Sequence, residues 1–187
     1  MRNKNISKNN QGFTLIELLI VITIVAILAT VTFVALNPTV LTGKANDTKR
    51  LSDLKNVNDA LMRDIAQGNI TLKPAVTGVD SISTPSFNPL VVNGSGWVQF
   101  NTVSGSALNF KLGGLNTLPN DPKVGTSVNV NGAAKVLKYR YCTSTDGSTY
   151  EINAVLENDT ASMAKDGGND ANLYEIGTDL TLCSGTW

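Results

Sequence analysis

Histidine does not occur anywhere in the 187-residue sequence. That absence excludes serine-type triads, His-bound zinc sites and histidine acid–base chemistry. Phosphate loops of the G-x-x-x-x-G-K or G-x-G-x-x-G kind are also missing, and Gly113-Gly114 and Gly167-Gly168 read as turns. Paired carboxylates could serve glycoside hydrolysis, but acids in turns are the commoner reason for them, so no enzymatic role is expected. Fifteen basic and fifteen acidic side chains cancel. Basic patches of the kind that dominate nucleic-acid interfaces are absent from the part after residue 12, so no direct nucleic-acid site is evident. The nearest approach, Lys135, Lys138 and Arg140, reads as charges on the solvated face of a strand. Internal repeats and coiled-coil heptads are lacking as well.

What the chain does have is one long apolar run. From Phe13 to Leu36 there are 24 mostly apolar residues with a single charge, Glu17. As a helix this run would be roughly 36 Å long, enough for the roughly 30 Å hydrocarbon core of a bilayer. A carboxylate inside such a segment costs roughly 2.5–3.5 kcal/mol on insertion scales and is tolerated mainly where something pairs with it. Residues 1–12 carry Arg2, Lys4 and Lys8, no acid, and end in Gly12. No small-x-small cleavage site of the secretory type follows the apolar run. Cutting between Gly12 and Phe13 would leave the helix on the mature chain and create an α-amine four residues from Glu17. That amine, supplied by a neighbouring subunit, is the cation Glu17 needs. Positive charge on residues 1–12 keeps that end cytoplasmic and sends the remainder outward.

The run Gly12-Phe13-Thr14-Leu15-Ile16-Glu17 followed by LLIVITIVAILA resembles the prepilin signature of type IV pilins and of the pseudopilins of type II secretion. The resemblance implies a prepilin peptidase that cuts after Gly12 and N-methylates Phe13. It implies that Glu17 pairs with a neighbour's N-terminus during assembly. Leu118-Pro119-Asn120-Asp121-Pro122 with Tyr139-Arg140-Tyr141 resembles the head of major pseudopilins, although Pro and Asp would build a turn there in any case. An uncleaved signal-anchor helix fits the hydrophobicity but leaves Gly12 and Glu17 without a role.

Downstream, Asn37-Pro38 should kink or interrupt the helix, and Gly43 is a second weak point. Leu51, Leu54, Val57, Leu61 and Ile65 recur at three- and four-residue spacing, the pattern of an amphipathic helix that stops at Gly68-Asn69. Residues 68–96 read as a loop-rich connector. Strand-like runs follow at 97–100, 108–112, 136–141 and 150–156, the last two forming a hairpin around Asp146-Gly147. The expected fold class is α+β: a long N-terminal transmembrane-then-amphipathic helix packed on a small antiparallel β-sheet head. The expected organisation is a basic leader peptide (1–12), a transmembrane and filament-core helix (13–36), the amphipathic half of the long helix (37–67) and a globular extracytoplasmic head (68–187).

Cys142 and Cys183 fall in the outward part, where an exported setting permits a disulfide; two buried free thiols are the alternative. Closing such a loop would stabilise by roughly 4 kcal/mol in the chain-entropy model. Residues 157–172 concentrate acids and amides around glycines, and Asp159, Asp166 and Asp170 are candidate Ca²⁺ ligands, although a solvated acidic loop explains them too. No cofactor is required. The expected function is a structural subunit of a type IV pilus-like filament, a homo-oligomer polymerised through the N-terminal helix. Its partners are the prepilin peptidase, the inner-membrane assembly machinery and the membrane itself. The expected setting is the bacterial inner membrane, crossed once with the head outside the cytoplasm, and then a surface or periplasmic filament. A major pseudopilin is the near alternative, and a membrane-anchored extracellular binding module the distant one.

Overall fold

The computed structural model describes residues 12–82, 90–103, 110–183 and 187. The expected leader, apart from Gly12, lies outside the described residues, as do 108–109 of the expected strand over 108–112. The chain divides into two compact units, one ending at Leu41 and one running from Thr42 to Trp187.

In the first unit, α1 spans Leu15–Leu36 and none of its residues is buried. It is apolar on all sides and long enough to cross a membrane. The helix ends at Asn37, which takes the left-handed conformation at φ 42° and ψ 75°. Asparagine is one of the few residues that adopts this conformation readily. Pro38 then opens α2 (Pro38–Ala66), at the position where a missing N–H costs nothing. The interruption expected at Pro38 is thus an asparagine break, with the proline starting the next helix.

In the second unit, the inward face of α2 is Leu54, Val57, Ala60 and Leu61, all buried, while Ile65 at the end of the stripe is exposed. Gly68 ends the helix at φ 68°, and its N–H donates to the Ile65 carbonyl while that of Asn69 donates to Asp64. Gly43 is no weak point: it is buried inside α2, and a Cβ there would meet the Asn158 side-chain amide.

The strands are β1 (Ile70–Leu72), β2 (Val79–Asp80), β3 (Phe100–Thr102), β4 (Ser127–Val130), β5 (Ala133–Val136), β6 (Tyr139–Thr143), β7 (Tyr150–Ala154) and β8 (Tyr174–Gly177). A four-stranded antiparallel sheet runs β2-β6-β7-β8, and β1-β3 and β4-β5 form separate pairs. The class is α+β with an antiparallel head. The β6–β7 hairpin forms as expected, with Tyr139 opposite Ala154 and Cys142 opposite Glu151. Its turn carries Gly147 at φ 70°. Tyr139 and Tyr141 of β6, with Tyr150, Ile152 and Ala154 of β7, share one core with the inner face of α2. A second cluster joins Val130, Leu137, Val155, Leu156, Met163 and Leu173, with Trp187 against it.

Three strand expectations shift. The run 136–141 is split, because Leu137 donates to the Thr126 carbonyl; β5 then pairs with β4 and β6 with β7. The β4–β5 hairpin turns at Asn131-Gly132, both at positive φ (50° and 86°), a turn dipeptide the sequence displayed in plain form. In the run 97–100 only Phe100 enters a strand, since Trp97 and Val98 are successive and both buried, which strand alternation does not supply. At 108–112 the described part is irregular backbone leading into a 3-10 turn at Leu112–Gly114. There Gly113, at φ 54°, comes so close to α2 that a Cβ would strike Ala60 and the Arg63 side chain.

Candidate functional site

Gly12 and Phe13 precede α1 in irregular, exposed backbone. A side chain added at Gly12 would meet nothing within 4 Å, so the chain's own packing does not require glycine there. Thr14 caps the helix and Glu17 sits three residues on, the reciprocal arrangement of a capping box. Glu17 Oε2 accepts from the Thr14 N–H at 2.9 Å and from Thr14 Oγ1 at 2.7 Å. The Glu17 N–H donates to Thr14 Oγ1 at 3.3 Å. All the bonds to the carboxylate use Oε2, and the helix N-terminus favours negative charge. Sequence reading sought only a cation for Glu17; the Thr-x-x-Glu spacing was a legible signal for this second partner. Thr14 satisfies hydrogen bonds but brings no charge, and among the described residues no cation pairs with the carboxylate. The other polar side chains of α1 are internally satisfied, with Thr23, Thr30 and Thr32 each donating to a helix carbonyl at 2.8 Å. In α1 the remaining demand is therefore for apolar surroundings and one positive charge.

The head holds a buried charge cluster that sequence reading missed. Arg50 of α2 is fully buried. It meets Asp121 through Nε at 2.7 Å and Nη2 at 3.0 Å, and Asp47 through Nη1 at 2.8 Å. Nη1 also lies 2.9 Å from Glu157, whose other oxygen is 2.6 Å from Lys123. Burial alone would lower the Arg50 pKa, but Asp121, Glu157 and Asp47 outweigh it and hold the group above its usual value. Asp47 also accepts from the backbone N–H groups of Glu157, Asn158 and Asp159, at 2.7, 2.7 and 3.2 Å. Asp121, read as a turn residue, does form a turn with the Lys123 N–H at 2.7 Å, but its larger role is to ligate Arg50. The signal was the pairing of one arginine on an apolar helix face with an Asp-Pro turn.

Lys138 and Arg140 do not lie on a solvated face. Lys138 is buried and Arg140 half-buried; they grip Asp80 at 2.7 and 2.8 Å, and both lie over the Trp187 ring. Trp187 covers this side of the sheet. Cys142 and Cys183 are joined as a disulfide with Cα atoms 5.5 Å apart.

Asp159, Asp166 and Asp170 are spent on local structure. Asp159 caps the short helix α3 (Thr160–Met163) by accepting from the Ser162 N–H at 3.1 Å. Asp166 accepts from the N–H groups of Gly168 and Glu175 at 2.8 and 2.7 Å. Asp170 accepts from the Asn172 N–H at 2.9 Å and from Lys135 at 3.3 Å. Among the described residues no group of three or more His, Cys, Asp or Glu side chains is placed to hold a metal. Glu151 and Glu175, which sequence reading passed over, lie side by side and buried; burial first, and then Glu151, pushes the Glu175 carboxyl up to about 8.

Comparison with known families matches residues 7–33 to the prokaryotic N-terminal methylation motif. The chain carries the type IV pilin and pseudopilin signature. The match takes in Gly12, Phe13, Thr14 and Glu17 and most of α1, and the head lies beyond it. A protein of Chlamydia trachomatis serovar D, named as an outer membrane protein, is 29% identical over 79 residues, 42% of this chain and 62% of that relative. The match thus spans less than two thirds of the relative's length. No solved structure matches the chain.

Proposed function

We propose that the chain is a prepilin: a structural subunit held in the membrane by α1, cut after Gly12, and polymerised into a helical filament of its own copies. The observation that carries this reading is the start of α1, where an exposed Gly12-Phe13 bond precedes a Glu17 with no cation partner among the described residues, on a helix with no buried residue. Cleavage places a new α-amine at Phe13 of each copy. In the bilayer, lipid solvates the apolar faces and the Thr14 capping box holds Glu17. In the filament, neighbouring helices take over the apolar faces, and a neighbour's Phe13 amine supplies the charge that Thr14 cannot. A bare carboxylate in an apolar medium is costly, so docking at a subunit with a free N-terminus is favoured over docking out of register. The heads then form the filament surface outside the cytoplasm. No cofactor enters this mechanism, and the force for extraction comes from assembly machinery other than this chain. A major pseudopilus would use the same subunit chemistry. A membrane-anchored binding module would use Glu17 only in the capping box and would give Gly12 no role.

Intact-mass measurement on membrane-extracted protein tests the processing step. The expected product begins at Phe13 and carries an N-methyl group. Retention of Met1–Gly12 in cells with an active prepilin peptidase would contradict it. Gly12→Val should block the cut, and since none of the described residues crowds Gly12, the defect would lie in peptidase recognition and not in folding.

A further inference from the structure

The sheet face turned away from α2 carries two buried acids that filament assembly does not use. Side chains alternate along a strand, so Glu151 and Asn153 of β7 point away from the core that Tyr150, Ile152 and Ala154 join. Opposite Glu151 on β8 stands Gly177, which brings no side chain, and Glu175, paired with Asn153, becomes its diagonal neighbour. The two carboxyls are 0% and 2% exposed, and a hydrogen bond joins them. Glu151 Oε2 accepts from the Leu182 and Cys183 N–H groups at 2.6 and 2.8 Å. Glu175 Oε2 accepts from the Asp170 N–H at 3.0 Å. Oε1 of each receives no donor from any other described group. Two ionised carboxylates only accept, so a bond between them requires a proton on one.

The charges around the pair favour keeping that proton. On β6, Arg140 lies opposite Asn153 but directs Nε and Nη2 at Asp80, at 2.8 and 3.3 Å, and Lys138 is bound to Asp80 at 2.7 Å. The 166–170 loop lies directly on the pair, since a Cβ at Gly168 would strike the Glu175 carboxylate. That loop brings two more acids, Asp166 and Asp170, and Lys135 is bound to Asp170 at 3.3 Å. Helix α3 has no charged residue, and Lys165 beyond it lines a surface cleft with Asp166 and Tyr174. Residues 178–183 carry one charge, Asp179. Like charges in contact in a buried site do not both ionise near neutrality.

We propose that Glu151 and Glu175 share one proton and act as a pH-operated latch on the C-terminal tail. With the proton in place, Glu151 holds the Leu182 and Cys183 amides and Glu175 holds the 166–170 loop, fastening both to β7 and β8. When the proton leaves to solvent, two adjacent charges remain in a buried site, and the tail and loop open to admit water. The Cys142–Cys183 disulfide keeps the opened tail tethered, so release is local and reversible. Burial and then Glu151 raise the folded pKa of Glu175 from 4.5 to about 8. A raised folded pKa gives stability that is complete below the unfolded value and lost as pH rises through the folded one. The latch is therefore closed in acid and released in alkali.

The test takes the detergent-solubilised full chain from about pH 5 to about pH 9, following thermal midpoint and hydrogen exchange corrected for base catalysis. One proton released on opening makes the opening constant at Leu182 and Cys183 rise by up to about tenfold per pH unit, levelling off above about pH 8. The midpoint should fall over the same range. Infrared spectra at neutral pH should show the carbonyl band of a buried protonated carboxyl, lost in alkali. Glu175→Gln, a near-isostere of the protonated form checked for folding by near-UV circular dichroism, should abolish the band and the pH dependence and keep the tail protected in alkali. Asp179→Asn should retain both the band and the slope. Wild-type protein without the band, or with tail protection and midpoint level from about pH 5 to pH 8, would overturn the latch. So would a slope that survives Glu175→Gln or is lost in Asp179→Asn.

Discussion

Replacing Arg50 by methionine tests whether the buried ion cluster organises the head. Methionine keeps the length and apolar stem of arginine but removes the guanidinium. Asp121 then loses a two-pronged partner at 2.7 and 3.0 Å, and Asp47 one at 2.8 Å, with both carboxylates fully or almost fully buried. Removing one member of such a cluster leaves buried charge uncompensated, which costs about 3–5 kcal/mol. For a domain of this size each kcal/mol lowers the midpoint by about 2–4 °C, so a drop of roughly 6–20 °C is expected in thermal unfolding followed by circular dichroism. Arg50→Lys keeps the charge but not the planar fork, and should fall between the two. The double variant Arg50→Met/Asp121→Leu should recover part of the loss, because it removes the stranded charge along with its partner. A loss below about 1 kcal/mol for Arg50→Met would refute the reasoning, and so would a double variant no better than the sum of its single changes.

Gly113→Ala should destabilise by about 2–4 kcal/mol, since it adds left-handed strain to a clash with the α2 backbone at Ala60; a denaturant midpoint close to wild type would contradict this. Reducing the Cys142–Cys183 bridge, or Cys183→Ser, should cost about 2–4 kcal/mol. Hydrogen exchange should then quicken from Thr178 onward while α2 stays protected, and uniform loosening would count against the placement of the tail. Acid should weaken the head through Asp80 and Glu157. Burial pushes both carboxyls up, but Arg140 and Lys138 for Asp80, and Lys123 and Arg50 for Glu157, outweigh it and hold them below their ordinary values of 3.8 and 4.5. A folded pKa below the unfolded one gives stability that is complete above the unfolded value and lost as pH falls through the folded value. Thermal midpoints should thus decline below about pH 4, after a rise between about pH 8 and pH 5 from Glu175, whose folded pKa of about 8 lies above its ordinary 4.5; midpoints that stay level below about pH 4 would show that these ion pairs do not form.

Local periodicity carried most of the fold. The apolar run specified α1, the three-and-four spacing specified the buried stripe Leu54–Leu61 of α2, and alternation around Asp146-Gly147 specified β6 and β7. What escaped were features decided by distant partners. Arg50 gives no local signal of its role, because the partners that neutralise it include Asp121, 71 residues away, and Glu157. Lys138 and Arg140 read as solvated until Asp80 and the Trp187 ring are placed against them. Trp97 and Val98 look strand-like, yet a bent segment with both side chains inward is what the core accepts. At the candidate site, Gly12, Phe13 and Glu17 were legible because the signal is contiguous. The Thr14 contact was present in the same stretch and needed only the capping-box spacing to be noticed. Glu151 and Glu175 were not legible, since strand register alone makes them neighbours.

In the proposed assembly Glu17 is the group that selects a neighbour's N-terminus. Glu17→Val, expressed in cells making no other pilin, tests it directly by electron microscopy and sheared-filament yield. The variant should enter the membrane at least as readily as wild type, because a carboxylate has been removed from an apolar helix. Its leader should still be cleaved after Gly12, since the scissile bond is unchanged. Filament yield should nevertheless collapse, and Glu17→Gln, which keeps hydrogen bonding to Thr14 but not the charge, should be impaired as well. Wild-type amounts of well-ordered filaments from Glu17→Val would contradict the pairing mechanism.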